Sequence, residues 1–417
     1  MHFSEIAIIG STDRGAEDKE KDKKKMKEVW KKISVFFLVV LAVLFTGCGG
    51  VSKEKQEKTE TEQKQKLVIW SYYETQAQRT GLNELVKSFN QSQNEYEVEW
   101  EYVPMTGFVK GLSSAYTENK LPDMAILDNP DTLPLIQLGM FEDITEQVKN
   151  WNLEEEYYRS ILDTVKYEER YYGLPLNCNS TALFYNKEIL EEAGITPPSD
   201  WQELKEAAQK LTTKDRSGFL MCGMEGEQGA FQILSWILSA GGTVEEIDGL
   251  PWTETFEFFS ELLKNGSMSA NCINLTQTDV AREFNEEKTA MMQNGPWVLP
   301  MLKEAGMDYG IVTLPENGSP AAVLGGENIT IIKGKNAEGS LMFLNYCMEN
   351  EELLKFCKSA SILPAKISAA KEMAAEDEDM KVFVEQMNYA VSRTSIPQWE
   401  TIAEKLTDRM YQLVQEN

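Results

Sequence analysis

Apolar and polar side chains alternate at two different periods in the first part of the chain that can fold. Apolar runs at Leu67–Ser71 and Pro122–Asn129 predict strands, and Tyr96–Val103 alternates apolar and polar residues as another strand. Between these strands, Leu82–Asn90 and Phe108–Asn119 carry apolar residues at helical spacing. The order strand, helix, strand, helix, strand predicts parallel strands joined by helical crossovers, and therefore an α/β fold.

The middle of the chain predicts two short strands around a polar break, followed by two helices. Gly173–Leu176 and Thr181–Tyr185 are apolar, and Asn177–Ser180 separates them. The second helix has a start signal in Ser199 and Asp200, whose side chains can cap free backbone N–H groups. One face of this helix is predicted to be buried, because its apolar residues recur at helical spacing: Trp201, Leu204, Ala208 and Leu211.

Strands and helices continue to alternate through the rest of the chain. A near-continuous apolar run that ends at Gly241-Gly242 predicts a deeply buried helix closed by glycines. The predicted helices of this part are 231–242, 253–264, 279–285, 341–358 and 401–415, and the strands, the first with a turn at its end, are 290–297, 309–315 and 324–332. With 417 residues, the chain is expected to form two folded units after its N-terminal region.

The charge of the chain argues against a nucleic-acid partner. The formal net charge is −26, and residues 67–417 alone hold 27 basic and 56 acidic residues, a charge of −29. Phosphate backbones would repel such a body. The chain has only eight arginines, and anionic substrates are commonly held by guanidinium groups. We therefore expect a neutral ligand.

Residues 1–48 have the pattern of a leader that contains a lipoprotein signal peptide. Met26 opens a basic segment and is the expected start, and Ile33–Phe45 is an almost entirely apolar run that is short for a membrane span. Leu44-Phe-Thr-Gly-Cys48 resembles a bacterial lipobox, although its leucine lies four residues before the cysteine instead of three. A lipid on Cys48 is expected; the alternative is a buried hydrophobic helix with an incidental cysteine.

Residues 49–66 are almost free of apolar side chains and are predicted to form a disordered tether. A lipid, a tether and a folded body describe a protein held on the extracellular face of a bacterial cell membrane, and we expect a Gram-positive host.

The histidine and cysteine content limits the chemistry of the mature chain. His2 is the only histidine in the sequence and lies in the leader, which excludes histidine-dependent catalysis and metal binding. The five cysteines after the leader have no metal-ligand spacing, so neither a metal nor another cofactor is expected. Their odd number leaves at least one thiol free, and disulfides among the others stay open: Cys178, Cys222, Cys272, Cys347 and Cys357.

Polar and aromatic residues stand at the ends of predicted strands, where ligands bind in open α/β sheets. Tyr72 and Tyr73 follow the first strand. Asp128 and Asn129 follow a later one, although with the next proline they also form a plausible simple turn. These residues are candidates for contacts with a ligand.

Two further segments are candidates for the same site. Asn294-Gly-Pro-Trp297 ends a strand and presents a rigid indole that can stack on a sugar ring, with core packing as the alternative. In Gly325-Gly326-Glu327 the glycines let the backbone approach a ligand and the carboxylate can accept from hydroxyls, with a plain turn as the alternative. For Phe231, Trp236 and Trp399, ligand stacking and core packing both stay open.

Several of these segments together resemble the extracellular solute-binding proteins of ABC importers, the family that includes maltose-binding protein. The similarity spans about residues 67–417 and includes segment 171–211, the Gly-Pro-Trp turn and the Leu363-Pro-Ala365 turn, in the order of the family. The resemblance implies a type II periplasmic-binding-protein-like fold. It would have two lobes, each a mostly parallel sheet flanked by helices, joined by three crossover segments.

The resemblance also implies how the chain is divided and where a ligand binds. Lobe 1 would comprise 67–177 and 326–372, and lobe 2 would comprise 178–325 and 373–417, with a third crossing at 369–375. Asn179 stands where maltose-binding protein has an acidic ligand residue. The expected ligand-binding residues are Tyr72, Tyr73, Asp128, Asn129, Asn179, Phe231, Trp236, Trp297, Gly326, Glu327 and Trp399.

The function implied by the resemblance is capture of a neutral mono- or oligosaccharide between closing lobes. A monomeric binding protein would deliver it to the transmembrane permease subunits of an ABC importer. One alternative is a sugar-sensing or adhesin-type lipoprotein without transport. Another is a glycoside hydrolase that uses Asp128 and Glu327, although the resemblance gives neither residue a catalytic part.

Overall fold

The computed structural model describes residues 64–244, 249–393 and 398–417. The predicted leader, the start at Met26, the lipidation site Cys48 and nearly all of the predicted tether lie outside these residues. Among the described residues, no helix combines the length and the hydropathy that a membrane span requires.

Most strands of the described chain belong to two mixed β-sheets. The strands are β1 (Gln65–Ser71), β2 (Tyr96–Tyr102), β3 (Met124–Asp128), β4 (Lys166–Tyr167), β5 (Arg170–Tyr171), β6 (Gly173–Pro175), β7 (Asn177–Cys178), β8 (Ala182–Asn186), β9 (Ser217–Leu220), β10 (Thr289–Asn294), β11 (Tyr309–Val312), β12 (Val323–Leu324), β13 (Glu327–Ile331), β14 (Leu363–Pro364) and β15 (Val391–Ser392). The order is β2-β1-β3-β13-β6 in the first sheet and β11-β8-β10-β9 in the second.

Each of these sheets has one strand that runs against the others. Strand β1 is parallel to β2 and to β3, which confirms the predicted parallel crossovers, whereas β13 is antiparallel to β3 and β6. In the second sheet β9 and β10 are parallel, and β8 is antiparallel to β10 and β11. The reversed strands β8 and β13 are those that the chain enters from the other sheet. Such a strand starts at the edge where the other strands end.

The helices cover the two sheets. They are α1 (Gln76–Ser92), α2 (Phe108–Glu118), α3 (Asn129–Gln137), α4 (Thr145–Asn150), α5 (Leu153–Glu156), α6 (Arg159–Leu162), α7 (Lys187–Glu192), α8 (Trp201–Leu211), α9 (Glu227–Ser239), α10 (Leu250–Lys264), α11 (Gln277–Asn285), α12 (Leu299–Ala305), α13 (Ala337–Cys347), α14 (Asn350–Ala360), α15 (Ile367–Glu376), α16 (Glu378–Gln386) and α17 (Trp399–Glu416). Short 3₁₀ turns lie at Asp163–Val165, Ala270–Asn274 and Pro296–Val298.

Local signals explain where several helices begin. The side chain of Asp200 accepts from the backbone N–H of Glu203 at 2.8 Å, which confirms the predicted start of α8. The prediction of one helix over 341–358 is wrong, because the backbone of Glu349 is extended (φ −59°, ψ 125°) and ends α13 before α14 begins. The acidic first turn of α14 is favoured by the helix dipole.

The structure bears on two predicted boundaries, the end of the tether and the third crossing. The tether was predicted to reach residue 66, but Gln65 and Lys66 already belong to β1 and pair with β2. Backbone pairing, unlike core burial, does not require apolar side chains, so the composition of these residues was misleading. The predicted third crossing lies inside α15, which packs against α14 on one side and α16 on the other. The lobe limits given above stay a prediction.

Trp236 is in the core of the second half of the chain, where sequence analysis left a ligand-binding role open. Its side chain is 1% exposed and its ring stacks on Phe258 with centroids 5.5 Å apart. Its indole N–H donates to Oε1 of Gln293 at 2.8 Å. Trp236 lies in an almost wholly buried stretch of α9, which explains its core position, and the structure does not place it in the lining of the cleft.

Replacing Trp236 with phenylalanine tests this core position. The ring contacts remain, but Oε1 of Gln293 loses a buried donor, so we expect the free energy of unfolding to fall by about 1–3 kcal/mol. Urea unfolding measures it. Trp252→Phe is the matched control, because Trp252 is only half-buried on α10. Equal losses in both variants would contradict the assignment.

Candidate functional site

The first wall of the site lies where β1 and β3 end and β13 begins. Asp128, the last residue of β3, is directly opposite Glu327, the first residue of β13. The hydroxyl of Tyr72, just after β1, donates to Oε1 of Glu327 at 2.8 Å. The reversed direction of β13 is what brings a strand start and a strand end together, and two carboxyl groups with them.

The crossing segments form the floor of the site. Asn179 and Gly325 exchange two backbone hydrogen bonds, at 3.0 and 2.9 Å. Gly326 has φ +127°, and a Cβ there would lie 2.5 Å from the carbonyl oxygen of Asn177. Only glycine fits both this backbone conformation and this close approach, which explains the glycine directly before Glu327.

The second wall comes from the N-terminus of α9 and from the turn after β10. Glu227 and Phe231 face the cleft from α9, and Trp297 lies half-buried in the 3₁₀ turn after Gly295. The cleft encloses about 700 Å³ of empty space, including space open to solvent. Its lining residues are Tyr72, Glu74, Thr75, Gln78, Met105, Asp128, Asn179, Glu227, Gln228, Phe231, Gln277, Thr278, Trp297, Gly325, Gly326, Glu327 and Arg393.

Arg393, directly after β15, joins the two walls. Its Nη2 donates to Oδ1 of Asp128 at 3.2 Å, and its Nη1 donates to Oε1 of Glu227. The guanidinium lies over the ring of Phe231, with Cζ 4.5 Å from the centroid. The indole N–H of Trp399 donates to the other oxygen of Glu227 at 2.7 Å. Arg393 is thus the centre of a charged cluster in the lining of the cleft.

Burial makes Glu327 hard to ionise. The residue is 5% exposed, and its Oε2 has no hydrogen-bond partner among the described residues. Burial, reinforced by the nearby charge of Asp128, raises its pKa from 4.5 to about 7, against the hydrogen bonds from Tyr72 and Asn177. Glu327 thus lines the cleft with one carboxyl oxygen engaged by Tyr72 and the other buried without a partner among the described residues.

The two carboxyl groups beside Arg393 are also perturbed. Burial raises the pKa of Asp128, and the guanidinium of Arg393 opposes this shift. Burial likewise raises the pKa of Glu227 to about 7, again against Arg393 and with a further increase from Asp128. Glu227 is the first residue of α9, where the helix dipole favours its negative charge.

Seven of the residues predicted for the site line the cleft. They are Tyr72, Asp128, Asn179, Phe231, Trp297, Gly326 and Glu327. Their contact with a ligand stays a prediction.

The other four predicted residues lie behind the surface of the cleft. Tyr73 is fully buried and its hydroxyl accepts from Asn177 at 2.6 Å, because consecutive side chains of an extended segment point to opposite sides. Asn129 is 1% exposed at the start of α3. Trp236 is in the core, and Trp399 is buried and holds Glu227. The structure does not place these four in the lining of the cleft, and their contact with a ligand stays a prediction.

Sequence analysis missed several residues of the cleft. Thr75 and Gln78 come shortly after Tyr73 at the end of β1, and this position was a signal that could have found them. Glu227 and Arg393 carried no local signal, because they are 166 positions apart and meet only in the fold. The remaining residues that were missed are Met105, Gln228, Gln277 and Thr278.

The cysteines of the folded part do not contribute to the cleft. All five that the structure describes are buried free thiols: Cys178, Cys222, Cys272, Cys347 and Cys357. Burial raises the pKa of each of them, to about 12 for Cys222 and Cys272. Within the described ranges, no group of three or more acidic or cysteine residues is arranged to hold a metal ion.

A family model described as bacterial extracellular solute-binding protein matches residues 84–382. The chain belongs to this family. The resemblance that the sequence motifs indicated is thereby confirmed, and so is the two-lobed α/β fold that it implied.

Relatives of this solute-binding protein cover most of its length. The multiple sugar-binding protein of Streptococcus mutans is 23% identical over 347 residues, which are 79% of each chain. The sn-glycerol-3-phosphate-binding periplasmic protein UgpB of Brucella abortus is 23% identical over 378 residues, 82% of this chain and 83% of that protein. A crystal structure of an ABC transporter solute binding protein from Thermotoga lettingae, bound with α-D-tagatose, has a TM-score of 0.77 and 25% identity, and it covers 84% of this chain and 95% of that one.

The raised pKa of Glu327 predicts how the stability of this solute-binding protein depends on pH. Between about pH 4.5 and 7 the folded protein keeps a proton on Glu327 that the unfolded chain has released, so stability falls as pH rises through this window. Glu327→Gln removes this loss. From pH 5 to pH 8 we expect the variant to gain roughly 2–3 kcal/mol relative to the wild type.

Urea unfolding of both proteins at pH 5 and pH 8 measures this difference. Glu74→Gln, at an exposed position on the same cleft, is the control and should show no comparable gain. A difference between Glu327→Gln and the wild type that is the same at both pH values would contradict the assignment.

Proposed function

We propose that this protein is the lipid-anchored, extracellular substrate-binding protein of an ABC importer. It captures a neutral mono- or oligosaccharide between its two lobes and delivers it to the permease. The observation that carries the proposal is the cleft itself, which combines aromatic side chains with buried oxygen acceptors. A sugar ring has an apolar C–H face and a rim of hydroxyl donors, and this lining suits both.

The aromatic part of the cleft comes from both walls. Trp297 and Phe231 lie on one side and Tyr72 on the other. Flat, rigid rings can hold the apolar face of a sugar at a small cost in conformational entropy. A polar ligand with apolar faces is therefore favoured over a purely apolar one.

The polar part of the cleft favours a ligand that donates hydrogen bonds. Glu327 lines the cleft, and Oε2 of its carboxyl group is buried without a partner among the described residues. Carboxyl and amide oxygens of Glu74, Asn179 and Gln277 also line the cleft. Sugar hydroxyls supply donors in many directions, so they can satisfy such a set of acceptors.

The relatives support carbohydrates and their derivatives as the ligand class, but they do not define a single ligand. One is named a multiple sugar-binding protein, one was crystallised with α-D-tagatose, and one is named for sn-glycerol 3-phosphate. The charge of this cleft favours the uncharged members of that range. Among the described lining residues, four are acidic (Glu74, Asp128, Glu227 and Glu327) and one is a cation, Arg393, which is already paired with Asp128 and Glu227. An anionic ligand would therefore find no uncompensated positive charge there.

The proposed mechanism is binding with closure and without turnover. The lobes meet at the crossing segments, so a rotation about these segments would close the walls on the sugar and exclude water. Release to the transmembrane permease subunits would reverse it. A monomer is sufficient for this cycle. Neither Asp128 nor Glu327 is proposed to cut the ligand, and the protein's family consists of binding proteins.

Isothermal titration against a panel of neutral mono- and oligosaccharides tests the proposed ligand class. We expect at least one sugar to bind and Trp297→Ala to weaken its binding about tenfold or more, because the stacking surface is lost. Trp100→Ala is the matched control, because Trp100 is half-buried on β2 and lies outside the cleft. No binding across the panel, together with binding of amino acids or polyamines, would overturn the carbohydrate assignment.

The proposed anchor at Cys48 has its own test. In a bacterial host the wild-type protein should incorporate labelled palmitate and enter the detergent phase, because the diacylated cysteine becomes its N-terminus. Cys48→Ala should appear in the aqueous phase without label. A wild-type protein that is unlabelled and released into the medium would refute the anchor.

A further inference from the structure

Arg393 is almost fully buried, although the chain has few arginines. Its side chain is 2% exposed. A buried guanidinium is stable only when carboxylates or other acceptors compensate its charge. Asp128 and Glu227 provide two carboxylates for this one cation.

The two partners of Arg393 come from different parts of the fold. Asp128 ends β3 of the first sheet, whereas Glu227 opens α9, which is bonded to Gln293 of β10 in the second sheet through Gln232 and Trp236. Arg393 itself follows β15, whose partner strand β12 leads into the crossing at Gly325. The guanidinium therefore spans the cleft from the crossing region, with one terminal nitrogen on each wall.

This arrangement leaves little of the guanidinium for a ligand. Both terminal nitrogens are engaged, and Nε is the one nitrogen without a hydrogen-bond partner among the described residues. The ring of Phe231 covers one face of the group. A phosphate or carboxylate is best bound by two parallel N–H groups of an uncommitted fork. Here Asp128 already engages Nη2 and Glu227 already engages Nη1.

We propose that Arg393 is a specificity-determining residue: held between Asp128 and Glu227, its compensated guanidinium makes the cleft reject phosphorylated and carboxylated sugars. This inference rests on the proposed function, since it concerns which carbohydrates the same cleft accepts. It also gives Asp128 and Glu227 a role besides contact with hydroxyls. They withhold the cation from anionic ligands.

Removing one carboxylate should therefore create an anion site. At pH 8, Glu227→Gln leaves Arg393 with a single charged partner. We expect this variant to bind inorganic phosphate at least tenfold more tightly than the wild type does, measured by titration at constant ionic strength. Glycerol 3-phosphate and glucose 6-phosphate should also bind more tightly to Glu227→Gln than to the wild type.

The matched control separates the guanidinium from overall charge. Glu74→Gln removes one carboxylate from the same cleft without touching Arg393, so we expect no comparable gain in phosphate binding. The double variant Glu227→Gln, Arg393→Gln should lose the gain again. If Glu74→Gln gains as much as Glu227→Gln, or if the double variant keeps the gain, the proposal is wrong.

Two further measurements keep the test decisive. Circular dichroism establishes whether Glu227→Gln folds, and Asp128→Asn offers the same experiment from the other wall if it does not. Wild-type protein that binds a sugar phosphate as tightly as the corresponding neutral sugar would also overturn the proposal. The phosphate titrations do not depend on the sugar panel, so a failure of the carbohydrate assignment and a failure of the role of Arg393 can be told apart.

Discussion

The two crossing segments that pair with each other are the constraint on which the rest of the molecule depends. The backbone groups of Asn179 and Gly325 are bonded together, so the polypeptide leaves one sheet and returns to it at the same place. Each crossing then enters its sheet from the edge where the neighbouring strands end, and it must run against them. The reversed strands β8 and β13 follow from this, and so does the facing pair Asp128 and Glu327. The cleft is a product of chain topology before any ligand is considered.

Much of this fold could be predicted from the sequence because local patterns were strong. The apolar run at Leu67–Ser71 and the alternation of apolar and polar residues at Tyr96–Val103 correctly predicted two strands, which the structure pairs in parallel. The capping residue Asp200 correctly predicted the start of a helix. The site was predicted only in part. An extended segment alternates its sides, so the sequence marked Tyr72 and Tyr73 together, but only the fold decides that Tyr72 faces the cleft and Tyr73 the core.

Long-range charge pairing was beyond the reach of a sequence pattern. Arg393 has no motif around it, and its partners Asp128 and Glu227 are 265 and 166 positions away. Their meeting depends on how the sheets pack and not on any local propensity. The expectation of a neutral ligand was drawn from the scarcity of arginine, yet one arginine lies in the cleft. The expectation is retained on a different ground, namely that two carboxylates already share that guanidinium.

The burial of the free thiols affects how the folded protein reacts with oxidants. Thiolate, and not thiol, attacks oxidants and disulfides, and burial keeps the cysteines of the folded part in the thiol form. In the folded state these five thiols are therefore shielded from an oxidising medium, and none of them is held in a disulfide.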